Sequence, residues 1–235
     1  MALVKVYIAD VTVLKDEDLY RKLYARLDAE RRAKADRFRF PKDRRLSVGA
    51  GALLMYALQK ENVGNVSIEV KPTGKPYLAG KESLFFNLSH SENMVMCAVA
   101  DKEVGCDVER TTEFDGALAS YVMTRQELQQ IYGLESEAKQ QEMFFRLWTL
   151  KESYMKATGL GIRLEPGNFG MKVEKESISV IPPVDEREFY FKGYYMDDGY
   201  CYSCCSLSDE FSEGMTKVDL GVINTLVGGN CYDTV

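Results

Sequence analysis

One histidine, one tryptophan and six prolines in 235 residues leave little room for several common chemistries. With His90 as the sole imidazole, a tetrahedral zinc site is hard to assemble. The six cysteines (97, 106, 201, 204, 205 and 231) do not change this. Cys201-Tyr-Ser-Cys204 has redox or zinc spacing but sits in an aromatic run that reads as a strand. Alternation there places Cys201 and Cys205 on one face and Cys204 on the other. Buried, reduced thiols are the expectation, and they suit a cytosolic protein. No G-x-x-x-x-G-K-[ST] phosphate loop occurs, and no nucleophile motif accompanies His90 to build a Ser-His-Asp triad. The longest nearly apolar run, residues 48–58, is too short to span a bilayer and contains Gly49 and Gly51. The start of the chain meets charge too early for a signal peptide, so a cytoplasmic location without membrane attachment is expected.

What is present is an ordinary globular composition with an unusual charge distribution. Hydrophobic residues make up 46% and charged residues 28%, which argues against disorder. The length suits one domain or two small ones. The net charge is −6, yet residues 21–45 hold eleven Lys/Arg against four Asp/Glu, a local +7. That segment is either an anion-binding stretch or a pair of solvated helix faces. The acidic remainder speaks against a broad polyanion footprint, so no nucleic-acid partner is expected.

Periodicity divides the chain into two similar runs. The first reads as a strand at 4–9, helices at 16–35 and 42–60, a strand at 67–70, and a hairpin of 84–88 with 94–100 whose turn carries Ser89-His90-Ser91. The second reads as a strand at 104–109, helices at 114–132 and 135–158, strands at 169–173 and 177–180, and a hairpin of 188–195 with 200–207. The residues from 209 onward look peripheral. This predicts an α+β protein of two similar halves, 1–103 and 104–235, with a ligand groove between them.

The segment from Trp148 to Lys156 is the most informative. At 100° per residue, Met143, Leu147, Leu150, Tyr154 and Ala157 form one apolar stripe that faces a core. Trp148, Glu152 and Lys156 form a second stripe beside Phe144, Phe145 and Met155, more aromatic surface than a solvated face needs. Glu152 and Lys156 are thus expected to point into a cleft, unless they are an ordinary i,i+4 pair. In Gly105-Cys106-Asp107-Val108-Glu109, strand alternation sends Asp107 and Glu109 to the same side. Two converging carboxylates ask for a proton or a cation between them, and hard oxygen ligands favour Mg²⁺; an exposed acidic face is the alternative. Gly74-Lys75-Pro76 and Asn87-Leu88-Ser89-His90-Ser91 could each grip phosphate oxygens.

Taken together, these four motifs, in this order and at these distances, resemble the surfactin-type 4′-phosphopantetheinyl transferases. The resemblance runs from about residue 27 to 161. It implies two similar α+β halves related by a pseudo-twofold, with the active site in the groove. It also implies transfer of the phosphopantetheine arm of coenzyme A to a serine of an apo acyl, peptidyl or aryl carrier protein, releasing adenosine 3′,5′-bisphosphate. Carried over by position, Asp107, Glu109 and Glu152 would hold Mg²⁺ (or Mn²⁺). Glu152, Lys156 and Glu109 would be the catalytic groups, with Glu152 or a water as base. Lys75, Ser89, His90, Arg31 and Lys34 match positions around the nucleotide, with His90 near the 3′-phosphate. Ser47 and one of Arg44 or Arg45 fall in the same region. Lys156 would reach the pyrophosphate, and Lys151 would take a flanking phosphate or structural role. The carrier is expected near residues 111–122, where Phe114, Leu118, Tyr121 and Val122 have helical spacing. With both halves on one chain, a monomer is expected. The rival from another class is an inactive coenzyme A- or carrier-binding protein of the same fold.

Overall fold

The computed structural model describes residues 3–64, 66–174 and 177–226. The first half contains β1 (Lys5–Asp10), a 3-10 turn at Val11–Lys15, α1 (Glu17–Arg26), α2 (Ala29–Asp36) and α3 (Pro41–Lys60), then β2 (Ile68–Val70), β3 (Pro76–Leu78), β4 (Phe85–Ser91) and β5 (Met94–Ala100). The second contains β6 (Val104–Arg110), α4 (Gly116–Val122), α5 (Arg125–Tyr132), α6 (Glu137–Thr158), β7 (Gly170–Val173), β8 (Ile178–Ile181), β9 (Tyr190–Tyr194), β10 (Tyr200–Ser206), β11 (Thr216–Lys217) and α7 (Leu220–Leu226).

Two sheets lie face to face, each backed by one long helix. The first has the order β11-β1-β5-β4 and the second β6-β10-β9. Alternation sorts the side chains of β1 and β5 between two cores. Tyr7, Ala9, Val95, Cys97 and Val99 pack with α3, whereas Val6, Ile8, Met94, Met96 and Ala98 face the second sheet. There they meet Val104, Cys106 and Val108 of β6 and Cys204 of β10. On the far side of that sheet, α6 buries Leu147, Leu150, Tyr154 and Ala157 in a third core, which also takes Cys205 and packs against Cys201. Every residue of β5 is buried, so its unbroken apolar sequence has a cause: it is covered on both faces.

Three expectations need correction. Helix 16–35 is two helices, because Asp28 adopts an extended backbone and its carboxylate accepts from the Arg31 N–H at 2.7 Å, capping a new start. Helix 114–132 breaks likewise at Thr124, which forms a capping box with Glu127. The turn expected at Ser89-His90-Ser91 is strand: β4 pairs with β5 as far as Ser91↔Met94, and the chain reverses at Glu92, whose φ is 53°. The residues from 209 onward are not peripheral either, because after residue 210 the chain returns to the first sheet. There β11 pairs in parallel with β1, and Val218, Leu220 and Ile223 are buried in the first core. Those apolar residues drive the return, so the tail is structural through Ile223; Cys231 lies outside the described residues. Among the described residues no helix is long and apolar enough to cross a membrane.

Gly105 sets the closest contact in the second half. A Cβ placed on it would overlap the carbonyl oxygen of Ser153 and the amide nitrogen of Ala157. Backbone of α6 therefore lies directly on backbone of β6. Gly105→Ala would force the two apart, and overpacking of this kind costs about 3 kcal/mol. For a chain of this size that corresponds to a fall of roughly 6–12 °C in the midpoint of thermal unfolding. Calorimetry on wild type and variant measures it, and an unchanged midpoint would refute the contact.

Candidate active site

The contact at Gly105 decides what faces what. With Val104, Cys106 and Val108 turned to the inter-sheet core, Asp107 and Glu109 emerge on the side where α6 lies. One turn of that helix presents Glu152 and the next Lys156. The Lys156 ammonium reaches Asp107 Oδ1 at 2.6 Å and Ser89 Oγ at 3.1 Å, while Ser89 donates to the same Oδ1 at 2.7 Å. Asp107 is 2% exposed, and its second oxygen, Oδ2, is buried without a hydrogen-bond partner among the described residues.

Strand β4 runs beside β6 and is joined to it by side chains instead of a backbone ladder. Asn87 Oδ1 accepts from the Cys106 N–H at 2.9 Å, and Ser91 donates to Glu109 Oε2 at 2.7 Å while accepting from the Arg110 N–H. Alternation then assigns Asn87, Ser89 and Ser91 to the seam. Phe86, Leu88 and His90 turn toward α3 and a cavity. Ser91 was not singled out from sequence; treating the pentapeptide as strand instead of turn would have found it.

Burial raises the Glu109 carboxyl, and Asp107 adds to the rise against the opposing Ser91, Lys156 and Trp148. For Glu152, burial is again the largest influence; Lys156 opposes it, Asp107 reinforces it, and the net is upward. Burial by itself would lower the Lys156 ammonium, but Asp107, Cys106 and Glu152 together outweigh it and raise it. The acidic groups thus share a buried region short of positive charge. Among the described residues no three acidic, histidine or cysteine side chains converge into a ready-made metal centre. The charge beside Asp107 is supplied by the chain's own Lys156.

Adjacent lies a cavity of about 430 Å³, within the range of small-molecule sites. Arg31, Lys34 and Arg37 give it a basic excess over the lining carboxylates Asp28 and Glu30, His90 adds an imidazole, and Ile68, Val70, Pro76, Phe86 and Leu88 form an apolar wall. Ser47 lines it with a buried hydroxyl that has no partner among the described residues. Gly51 lets α2 close on α3, since a Cβ there would press on Leu27 and on the Arg31 side chain. Burial lowers the Lys34 ammonium, and Arg31 lowers it further. Desolvation lowers His90, followed by the charges of Lys156 and Lys34. Each of these groups gains from a bound anion. Because Lys156 acts on His90, the basic cavity and the acidic seam adjoin.

Comparison with known proteins bears on this arrangement. Residues 103–205 match the 4′-phosphopantetheinyl transferase superfamily and residues 16–102 the 4′-phosphopantetheinyl transferase N-terminal family. The 4′-phosphopantetheinyl transferase HetI of Nostoc sp. is 34% identical, over 76% of this chain and 75% of its own. The 4′-phosphopantetheinyl transferase psf-1 of Bacillus pumilus is 33% identical, over 75% and 77%. The 4′-phosphopantetheinyl transferase Sfp of Bacillus subtilis is 25% identical, over 82% and 87%. The chain belongs to the 4′-phosphopantetheinyl transferase family. It is an enzyme of that family, with the family's α+β architecture of two halves.

Within this transferase not every residue expected at the ligand lines the cavity. Arg31, Lys34, Ser47 and His90 line the cavity. Arg44 and Arg45 do not; Arg44 donates to the Phe38 carbonyl at 2.8 Å from an exposed position. Ser89 belongs to the Asp107–Lys156 knot. Lys151 is fully buried, 2.7 Å from Glu127 and donating to the carbonyls of Val122, Pro166 and Phe169, so a phosphate cannot reach it. In α4 and the residues before it, Val122 is buried and Phe114 stacks on Phe144, leaving Leu118 and Tyr121 exposed.

Lys75 also turns away. Gly74 and Pro76 line the cavity, but the Lys75 ammonium is 2.5 Å from Glu103 Oε2 and donates to the carbonyls of Ala157 and Val104. Burial lowers this ammonium more than Glu103 restores it. Burial alone would raise the Glu103 carboxyl, yet Lys75 and Lys71 hold it below its ordinary 4.5. A depressed carboxyl contributes stability that is complete above that value and lost as pH falls through the folded-state one. Glu103→Gln is therefore expected to cost about 2 kcal/mol at neutral pH. Its deficit against wild type should shrink as pH drops below about 4.5. Denaturant unfolding across pH checks this, and a pH-independent deficit would exclude the ion pair as its source.

Proposed function

We propose that this transferase moves the 4′-phosphopantetheine arm of coenzyme A to a serine hydroxyl of an apo acyl, peptidyl or aryl carrier protein. Adenosine 3′,5′-bisphosphate leaves. The observation that carries this reading is the buried Asp107 Oδ2, without a partner among the described residues, set among carboxylates raised by burial and next to a cavity with a basic excess. A buried carboxylate oxygen without a hydrogen bond keeps its capacity to accept a cation. Hard oxygen donors with open positions suit Mg²⁺, with Mn²⁺ as a substitute, so Asp107, Glu109 and Glu152 would hold it. When bound, the ion would neutralise pyrophosphate charge and polarise the attacked phosphorus.

The chain's own groups cover the remaining requirements. The apolar wall of the cavity suits a nucleobase, while Arg31, Lys34 and His90 meet nucleotide phosphates. A phosphate beside His90 offsets the two ammonium charges that lower it and favours the imidazolium, which can donate to the 3′-phosphate. Lys156, anchored to Asp107, faces the pyrophosphate and offsets charge on the departing bisphosphate. Glu152 has no hydrogen-bond donor among the described side chains, and its raised pKa suits accepting the serine proton, directly or through a water. Glu109 is held by Ser91 and so is the more fixed of the two. The exposed Leu118 and Tyr121, in a helix near the end of β6, offer apolar surface to the carrier. A monomeric, cytoplasmic enzyme serving fatty-acid, polyketide or nonribosomal peptide assembly, without nucleic-acid or membrane partners, fits these features.

Incubation with coenzyme A, Mg²⁺ and a panel of apo-carriers, followed by mass spectrometry, should show one carrier gaining one phosphopantetheine arm; no gain on any carrier would refute the proposal. Glu152→Gln should lower kcat by about 100-fold or more with the unfolding midpoint retained, the usual scale for loss of a general base. Near-normal turnover would remove Glu152 from that role. His90→Ala should raise KM for coenzyme A roughly tenfold, the scale of one charged hydrogen bond, and leave dephospho-coenzyme A little affected. Equal rises for both substrates would discard the 3′-phosphate contact.

A further inference from the structure

We propose that Lys75 is a positioning residue that locks the catalytic end of α6 to the wall of the nucleotide cavity, and that it is not a nucleotide ligand. The inference rests on the transferase reading and deepens it. Lys75 sits between two residues that line the cavity, Gly74 and Pro76, in the turn where the chain enters β3. Its side chain leaves in the other direction and is only 8% exposed. An ammonium has three protons, and three acceptors stand around this one: Glu103 Oε2 at 2.5 Å, the Ala157 carbonyl at 2.9 Å and the Val104 carbonyl at 3.2 Å. Nothing is left to donate to a phosphate.

The acceptors are not arbitrary. Ala157 follows Lys156 directly, and its carbonyl belongs to the last turn of α6, where carbonyls lack helical partners and carry the negative end of the dipole. Val104 begins β6, three residues before Asp107. One cation thus ties together the two elements whose side chains meet as Lys156 and Asp107. Glu103, itself 3.1 Å from Lys71, holds that cation from behind. The chain makes room for the clasp by leaving α6 through two left-handed glycines, Gly159 at φ 69° and Gly161 at φ 57°. A Cβ on Gly159 would come within 3.4 Å of Lys75 Cδ, and one on Gly161 within 3.3 Å of the Thr73 carbonyl oxygen. The backbone of this turn shapes the cavity, and its side chain sets where Glu152 and Lys156 stand.

A phosphate ligand and a clasp differ in which kinetic constant they move. In Lys75→Met, transfer to a carrier that the wild type modifies should show kcat lowered roughly 10- to 100-fold, as for an ångström-scale misplacement, with KM for coenzyme A within about twofold. Amide hydrogens in the last turn of α6, measured by hydrogen exchange without coenzyme A, should exchange at least about tenfold faster. Glu103→Gln should move both readouts in the same direction and less, and it carries the test if Lys75→Met does not fold. A raised KM with kcat retained would overturn the proposal in favour of a phosphate contact. Lost stability with kcat, KM and exchange of α6 unchanged would overturn it in favour of a generic buried ion pair. If the wild type modifies no carrier, the transferase reading falls separately, and the exchange of α6 still decides the clasp.

Discussion

The bare backbone of Gly105 against α6 is the constraint from which the site follows. Most helices rest on sheets through two layers of side chains, and small shifts are absorbed by rotamers. Here a carbonyl and an amide of the helix occupy the space of a missing Cβ, so no side chain is available to absorb error. Once that contact is made, alternation along β6 turns Asp107 and Glu109 toward the helix, and the helical period places Glu152 and Lys156 opposite. Interior packing and the placement of charge are the same event.

The charges so placed are mutually opposed in a way that stability alone would not favour. Burial raises two carboxyls, and the positive charge that answers Asp107 is a lysine of the same chain. Across the seam, Lys34 is lowered by burial and by Arg31 against the opposing Glu30, and His90 by burial and by the charges of Lys156 and Lys34. A buried acidic seam thus adjoins a cavity whose basic side chains, Arg31, Lys34 and Arg37, outnumber its carboxylates, Asp28 and Glu30. In the proposed reaction a metal ion together with a pyrophosphate-bearing nucleotide would relieve both at once, so each would favour binding of the other. Neither region needs the other to be a binding site, but only their adjacency offers a place for phosphoryl transfer.

Much of this was legible in the sequence because it rests on periods. The apolar stripe Leu147, Leu150, Tyr154 and Ala157 faces the core as its spacing requires, and strand alternation brings Asp107 and Glu109 to one side. Less legible were features set by single residues. Asp28 and Thr124 end helices that periodicity would continue, because a cap overrides an amphipathic pattern locally. The return of Val218, Leu220 and Ile223 to the first core was hidden in a short segment with no period of its own. Ser91 escaped because Ser-His-Ser resembles a turn, whereas side-chain bonds to β6 draw the strand past it.

Lysines show the limit most clearly. Lys75, Lys151 and Lys156 all stand in motifs that resemble phosphate-binding ones; helical spacing sets Lys151 apart from Lys156, but nothing in the sequence sets Lys75 apart. Distance along the chain decides nothing: Lys75 reaches Ala157, 82 residues away, and Lys151 reaches carbonyls at the end of α4 and in the segment after α6. What separates them is how many protons the fold has already claimed. Lys75 and Lys151 have spent theirs on carbonyls and carboxylates. Among the described residues Lys156 donates to Asp107 and Ser89 alone, both of them side chains at the site and one a prospective metal ligand. Its side chain is 28% exposed, against 8% for Lys75 and none for Lys151. An ammonium held by site side chains, one of which a bound cation would itself engage, is the one free to change partners, and the fold leaves that freedom to Lys156.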